Sequence, residues 1–86
     1  MINQNKNVNQ YYLKEFKLFD GEYDITFNIV DVNFDKNTIV IAITKAGKIT
    51  VREFDLLLSN DGDLYFEYEP LNAQIDVNDF ETVEED

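Results

Sequence analysis

The side chains that could do chemistry in this sequence are almost all carboxylates. The 86 residues include 18 Asp and Glu, no His and no Cys. A serine or cysteine nucleophile needs a base such as His or Lys beside it, and the single serine, Ser59, lies in an acidic stretch. Paired carboxylates serve glycosidases, but 18 acids create many chance pairs in a chain too short for a substrate cleft. We therefore expect no catalytic residues, no cofactor and no enzymatic activity.

One acidic segment, residues 59–63, looks like the middle of a calcium-binding loop. If Gly62 took the sixth position of an EF-hand loop, Leu57 would be first and Tyr68 twelfth. Both of these positions must supply oxygen ligands, so the match fails. The absence of Cys and His also removes the ligands of structural zinc. The segment is therefore predicted to be a polar hairpin loop, and no metal site is expected.

The acidic residues are concentrated in the last part of the chain. Residues 1–52 hold all 7 basic residues and 6 acidic ones, a net charge of +1. Residues 53–86 hold 12 acidic residues and no basic one, a net charge of −12, and the two parts sum to −11. Side chains two apart on a strand are about 6.6 Å from each other, which is comparable to the interval between phosphates along a nucleic-acid strand. A row of acids could therefore occupy a basic groove built for DNA or RNA.

This charge distribution points to the kind of partner. A net charge of −11 opposes contact with phosphates, so we expect neither direct nucleic-acid binding nor membrane binding. The expected partner is the basic surface of a protein, with Tyr65 as an apolar anchor among acidic contacts. The candidate partner-binding residues are Asp61, Asp63, Tyr65, Glu67, Glu69, Asp76, Asp79 and Glu81. Acids also keep a small protein soluble, but a surface tuned only for solubility normally mixes both signs. Both interpretations stay open at this point.

The elements that must position these residues are predicted to be strands. A strand near 12–19 precedes Asp20-Gly21, a dipeptide typical of two-residue hairpin turns, although the spacing of its apolar residues also fits a helix. Apolar and polar residues alternate clearly over residues 22–34, and the alternation changes parity at Val30, which indicates a β-bulge. Residues 38–45 are apolar on both faces, as a central strand would be, and Ala46-Gly47 follows as a second tight turn.

The second half of the chain continues this pattern. Residues 48–58 are predicted as a fourth strand, with a second bulge near Arg52-Glu53. Residues 64–69 form a fifth strand that ends at Pro70, and residues 73–77 a short sixth one. Beyond them, Val77, Phe80 and Val83 are spaced for one face of a short helix, with Asn78 as its cap and Glu81 completing a capping box.

These elements predict a mainly β fold. We expect a five- or six-stranded antiparallel meander, twisted or half-open as a small barrel, with a short C-terminal helix. Residues 1–10 are predicted to be a flexible polar leader, 11–83 a single β-rich domain and 84–86 an acidic end. The start lacks the features of a secretion signal, and the longest purely apolar run is far too short to span a membrane. A cytoplasmic location is therefore expected.

In its size, acidity and lack of cysteine chemistry, the chain resembles in type small phage and mobile-element inhibitors of nucleases such as CRISPR effectors and restriction enzymes. No motif assigns it to a named family, so no residue roles are carried over. The resemblance implies a non-catalytic inhibitor that binds a nucleic-acid-handling protein by nucleic-acid mimicry. The alternative is an assembly module of a phage or conjugative element that oligomerises through the edge of its first strand, at Tyr11, Tyr12 and Leu13. The chain is expected to be a monomer or a small homo-oligomer.

Overall fold

The computed structural model describes residues 14–82 as two antiparallel β-sheets. The strands, in chain order, are β1 (Lys14–Phe19), β2 (Asp24–Asn33), β3 (Thr38–Lys45), β4 (Lys48–Asp55), β5 (Leu57–Leu58), β6 (Leu64–Tyr68), β7 (Ala73–Asp76) and β8 (Glu81–Thr82). The larger sheet has the order β4-β3-β2-β1-β8, and the smaller one has the order β5-β6-β7. The prediction of a mainly β, antiparallel meander is confirmed, and the sheets are not closed into a barrel.

Alternation of apolar and polar residues determines the central strands. Ile25, Phe27 and Ile29 on β2 are buried, and the pairing with β3 shifts register between Ile29 and Asp31. The extra residue, Val30, is exposed, and the buried pattern resumes one residue later at Val32. The predicted bulge is thus confirmed. β3 lies between β2 and β4, as its two apolar faces indicated.

The β1–β2 and β3–β4 hairpins have turns of different length. The loop after β1 spans four residues, 20–23, rather than the two predicted, because Phe19 pairs with Asp24. Oδ1 of Asp20 accepts the backbone N–H groups of Glu22 (2.8 Å) and Tyr23 (2.7 Å), which stabilises this longer loop. The turn at Ala46-Gly47 has the predicted two residues, with φ of 54° and 80°. Positive φ at both residues defines a type I′ hairpin turn.

The predicted fourth strand is in fact two strands. β4 ends at Asp55, and β5 belongs to the smaller sheet. The pairing of β4 with β3 runs without a register shift, so the bulge predicted near Arg52-Glu53 is wrong. Ile49 and Val51 remain on the outer face, where they are 69% and 60% exposed.

The short C-terminal helix is a single 3₁₀ turn at Val77–Asp79, and β8 follows it and pairs with β1. The spacing of Val77 and Phe80 suits such a turn, which has three residues per turn. Its N-cap is Asp76, whose side chain accepts the N–H of Asn78 at 2.8 Å, so the predicted cap at Asn78 is wrong. The predicted leader, Tyr11–Leu13, Val83 and the acidic end lie outside the described residues.

The core lies between the two sheets and consists of side chains from both. Phe27 of the larger sheet and Phe66 of the smaller one are fully buried, with ring centroids 6.4 Å apart. The ring of Phe66 also approaches that of Phe54 at 4.9 Å and that of Phe80 at 6.3 Å. Phe66 therefore joins the sheets. Within residues 14–82 the helical segments are two three-residue turns, and none has the length or apolar character to cross a membrane.

Candidate partner-binding face

The outer side of the smaller sheet carries the central residues of the predicted site. On β6, Phe66 and Tyr68 point into the core, so Tyr65 and Glu67 lie on the opposite side. Tyr65 pairs with Asp76 of β7, and Glu67 pairs with Gln74. Directly paired residues in an antiparallel sheet present their side chains on the same face. Tyr65, Glu67 and Asp76 therefore share one outer surface.

The loop before β6 adds two more carboxylates and is held by its own hydrogen bonds. Ser59 Oγ accepts the backbone N–H of Asp61 at 3.2 Å and that of Asp63 at 3.0 Å. The N–H of Ser59 donates to the carbonyl of Asp63, and the N–H of Gly62 donates to the carbonyl of Ser59. These four bonds fix the backbone from which Asp61 and Asp63 project.

Asn78 connects two of these carboxylates. Its side-chain Nδ2 donates to Asp63 Oδ1 at 3.3 Å, and its backbone N–H donates to Asp76 Oδ1 at 2.8 Å. The 3₁₀ turn therefore ties the loop to the end of β7. Both carboxylates keep one oxygen that takes no part in these two bonds. Asp63 and Asp76 are consequently held in place, each with one carboxylate oxygen left for other contacts.

A shallow depression of about 530 Å³ brings these residues together. It is lined by Leu58, Ser59, Asn60, Asp61, Asp63, Tyr65, Gln74 and Asp76. We use the term acidic face for Asp61, Asp63, Tyr65, Glu67 and Asp76. Tyr65 is half-buried at its centre. The face offers a large aromatic surface surrounded by carboxylates, which suits contact with Lys and Arg side chains.

Three of the predicted residues do not join this face. Glu69 lies on the 3₁₀ turn after β6, and its Oε1 is 3.4 Å from the Arg52 guanidinium of β4. Asp79 is exposed on the second 3₁₀ turn. Glu81 lies on β8 directly opposite Glu15 of β1, and therefore on the outer side of the larger sheet. Cross-strand pairing, which the sequence does not reveal, separates Glu81 from the other acids.

The described basic residues lie in the larger sheet or its turns and not in the smaller sheet that carries the acidic face. The six that the structure describes all belong to the larger sheet or its turns: Lys14, Lys17, Lys36, Lys45, Lys48 and Arg52. Lys45 Nζ is 3.1 Å from Asp20 Oδ2. The two backbone N–H donors, and then Lys45, lower the pKa of Asp20 from 3.8 to about 2. Asp20 in turn raises the pKa of Lys45.

Two residues that organise the site were not identified from the sequence. The sequence places Ser59 in a polar hairpin loop but does not identify its side chain as the group that holds the loop, although serine before an Asp-Gly segment is a known signal for a side-chain-stabilised turn. Asn78 was interpreted as a helix cap, and its link to Asp63 has no local signal because the two residues are far apart in sequence. Among residues 14–82, no group of three or more acidic side chains is arranged to hold a metal ion.

Comparison with known proteins gives no relatives for this chain. No protein-family model, no curated protein sequence and no solved structure matches it.

Proposed function

We propose that this protein is a non-catalytic inhibitor, of the phage or mobile-element type, that binds a nucleic-acid-handling protein in the cytoplasm. The target class is a CRISPR effector, a restriction enzyme or another nuclease with a basic groove. The acidic face occupies that groove in place of nucleic acid. The observation that carries this proposal is the separation of charge between sheets, since the acidic face has no basic residue in its own sheet.

The spacing of the acidic face supports mimicry. Asp63 lies in the loop just before β6, Glu67 follows Tyr65 on β6, and Asp76 pairs with Tyr65 on the neighbouring strand. Strands are about 4.8 Å apart, and alternate residues along a strand are about 6.8 Å apart. Carboxylates on this grid meet Lys and Arg side chains at intervals similar to those of phosphates. Tyr65 adds the aromatic surface on which an arginine guanidinium can stack.

Electrostatic steering would make this binding fast and sensitive to salt. A net charge of −11 attracts a basic groove over a distance of about 10 Å in 0.1 M salt. Because the acidic loop and β7 are already fixed by hydrogen bonds through Ser59 and Asn78, little ordering is needed on binding. A pre-ordered surface keeps more of its interaction energy as affinity.

A catalytic role has no support in the chemistry of the chain. The one serine, Ser59, already accepts two backbone N–H bonds through Oγ. The chain also has no His to act as the base that a serine nucleophile commonly uses. We therefore propose inhibition by binding alone.

The proposal is tested by affinity capture from a bacterial lysate with tagged protein as bait. Bound proteins are eluted with a salt gradient, with and without added duplex DNA, and identified by mass spectrometry. We expect a nuclease or another nucleic-acid-binding protein that DNA and moderate salt displace. Capture that is indifferent to both DNA and salt would overturn the proposal.

Two matched variants sharpen this test. The first removes four charges from the acidic face: D61N, D63N, E67Q and D76N. The second removes four exposed charges from the turns and outer side of the larger sheet: E22Q, D24N, D31N and D35N. Both change the net charge by the same amount, and the amides at 63 and 76 keep the oxygens that accept bonds from Asn78. Capture should be lost only with the first variant. Equal loss with both variants would show that capture depends on net charge and not on the acidic face.

The alternative is an assembly module, for which the described residues offer a different edge. Tyr11, Tyr12 and Leu13 lie outside the described residues, and the strand that follows them, β1, is flanked by β2 and β8. At Lys14 and Glu15, therefore, β1 already has partners on both sides. An exposed edge does exist elsewhere in the larger sheet, at β4, and that observation favours self-association there.

A further inference from the structure

The outermost strands of the described sheets differ in how well they are protected against pairing. β8 has two residues, both polar, β5 also has two, and β7 has four. β4 has eight residues, and its first four, 48–51, are all exposed. Proteins normally keep the edge strands of a sheet short, or protect them with proline, bulges or charged side chains. β4 instead exposes Ile49 and Val51 and has no bulge.

The hairpin turn determines which backbone groups of β4 face outward. In the type I′ turn at Ala46-Gly47, Lys45 and Lys48 form the hydrogen-bonded pair that closes the loop. Hydrogen-bonded and non-hydrogen-bonded pairs alternate along an antiparallel ladder. Ile49, Val51 and Glu53 therefore belong to the non-hydrogen-bonded pairs with β3. Their N–H and C=O groups point away from β3, toward the open edge.

The charge along β4 is graded from one end to the other. Lys45 and Lys48 lie at the turn, and Glu53 and Asp55 lie at the far end. The strand as a whole is neutral, with Lys48 and Arg52 balancing Glu53 and Asp55. An antiparallel pairing of two copies sets the basic end of each strand beside the acidic end of the other. A neutral edge is also where two copies of net charge −11 repel each other least.

We propose that the protein forms a two-fold dimer in which β4 pairs antiparallel with β4 of a second copy. The outward backbone groups at Ile49, Val51 and Glu53 limit the possible registers. The register with Val51 opposite Val51 of the second copy and Ile49 opposite its Glu53 is the one that pairs all three residues. Ile49 then lies diagonally across from the second Val51, within reach of apolar contact. The four aliphatic side chains of the two copies form one cluster on the outer face.

The charged residues of β4 do not prevent this pairing. Inward-pointing charges on an edge strand can block association because pairing would bury them. Lys48 is exposed, and the Arg52 side chain is 39% exposed beside Glu69. These side chains lie near the tip of the β3–β4 hairpin, beside a depression of about 270 Å³ that Tyr68 also lines. In this register Arg52 lies opposite Thr50 of the second copy, so no two like charges face each other.

Disulfide cross-linking tests the register directly, because the chain has no cysteine of its own. The pair at Val51 would have Cα atoms about 5.5 Å apart, within the range of about 4.4–6.8 Å that a disulfide requires. Oxidised V51C should give a covalent dimer on a non-reducing gel. I49C should not, because the two copies of Ile49 are offset by four residues, or about 14 Å. V30C is the matched control and should not form this dimer. Val30 is exposed, but it lies on β2, and β3 and β4 separate it from the open edge.

Sedimentation equilibrium of the unmodified and lysine variants provides a second measurement. The wild-type protein should show a concentration-dependent dimer that strengthens with salt, because salt screens the repulsion between the two acidic copies. V51K should weaken this dimer at least about tenfold by placing two ammonium groups opposite each other, and V30K should not weaken it. Monomer at every concentration, cross-linking of V30C as efficient as that of V51C, or equal effects of V51K and V30K would overturn the proposal. None of these variants alters the acidic face, so failure of the dimer leaves the inhibitor proposal standing.

Discussion

The two sheets share one core but differ in the surfaces that they turn to solvent. The outer side of β3 carries Thr38, Val40, Ala42 and Thr44, all half-buried and uncharged. The outer side of β6 and β7 carries Tyr65, Glu67 and Asp76, with Asp63 beside them. The charge asymmetry along the chain is therefore an asymmetry between sheets, and we infer that the two sheets have different roles. The smaller sheet is the one suited to a basic partner.

Substitution of the aromatic residue that joins the sheets should have the largest effect. Phe66 is fully buried and contacts rings from Phe27, Phe54 and Phe80. F66A should lower the free energy of unfolding by about 3–5 kcal/mol, a large share of the about 5–15 kcal/mol typical of a whole protein. Urea denaturation followed by circular dichroism measures this change. The acidic face should be lost together with the core.

The control for F66A is an exposed phenylalanine, which lies in the larger sheet. Phe19 is 65% exposed at the end of β1, so F19A should change the free energy of unfolding by no more than about 0.5 kcal/mol. Similar losses in the two variants would contradict the role of Phe66 as the link between sheets.

The next effect concerns the pH dependence of the larger sheet. Asp20 has its pKa lowered from 3.8 to about 2 by the N–H groups of Tyr23 and Glu22 and by Lys45. A lowered folded-state pKa stabilises the protein above the unfolded-state pKa, and this contribution disappears as the pH falls through the folded-state value. D20N should therefore be less stable than wild type at pH 5 and above. The difference should shrink between about pH 4 and pH 2.

Urea denaturation of wild type and D20N at several pH values measures this difference. D24N is the control, since Asp24 is exposed and none of the described hydrogen bonds or ion pairs involves its side chain. A destabilisation of D20N that is the same at pH 2 and pH 6 would rule out the ionised carboxylate as its cause.

A smaller effect is expected where the sheet pairs two like charges. Glu81 lies opposite Glu15 at the edge of the larger sheet, and like charges directly across a pair destabilise it. E81K should raise the free energy of unfolding by about 0.2–1 kcal/mol and leave partner binding by the acidic face intact. D79K makes the same change of charge outside a strand and should stabilise less. Equal gains from both would assign the effect to net charge alone.

The smallest effects are expected from two glutamates that lie two residues apart on the chain and differ in their surroundings. Glu67 belongs to the acidic face, whereas Glu69 contacts Arg52 at 3.4 Å. E67Q should weaken partner binding up to about fivefold, as expected for loss of one exposed charge contact. E69Q should leave it unchanged. Titration of the captured partner by fluorescence anisotropy measures both, and a greater loss with E69Q would move the site away from the acidic face.

Much of the fold was predictable because the local signals agree with the tertiary structure. The alternation from Ile25 to Ile29 and its change at Val30 gave β2 and its bulge, and Asp20 and Gly47 marked the turns. The assumption that apolar residues point inward failed at Ile49 and Val51, since surfaces also hold apolar side chains. That assumption produced the wrong bulge at Arg52 and hid the division of the strand.

The candidate site was predictable only in part. Tyr65 and Glu67 share a face because they alternate along one strand, a relation that the sequence contains, and Asp63 directly precedes that strand. The position of Asp76 beside Tyr65 depends on the register between β6 and β7, and that of Glu81 depends on pairing with β1. Register between strands is set by long-range packing and has no local signal, so those two acids could not be assigned to a face from the sequence.

Inhibition of the captured nuclease tests the central claim most directly. Cleavage of a labelled duplex DNA is measured against increasing protein, for wild type, the D61N/D63N/E67Q/D76N variant and the E22Q/D24N/D31N/D35N variant. We predict that wild type and the second variant inhibit equally, that excess DNA relieves the inhibition, and that the first variant does not inhibit. Full inhibition by the first variant, with circular dichroism confirming that it is folded, would contradict a function based on the acidic face.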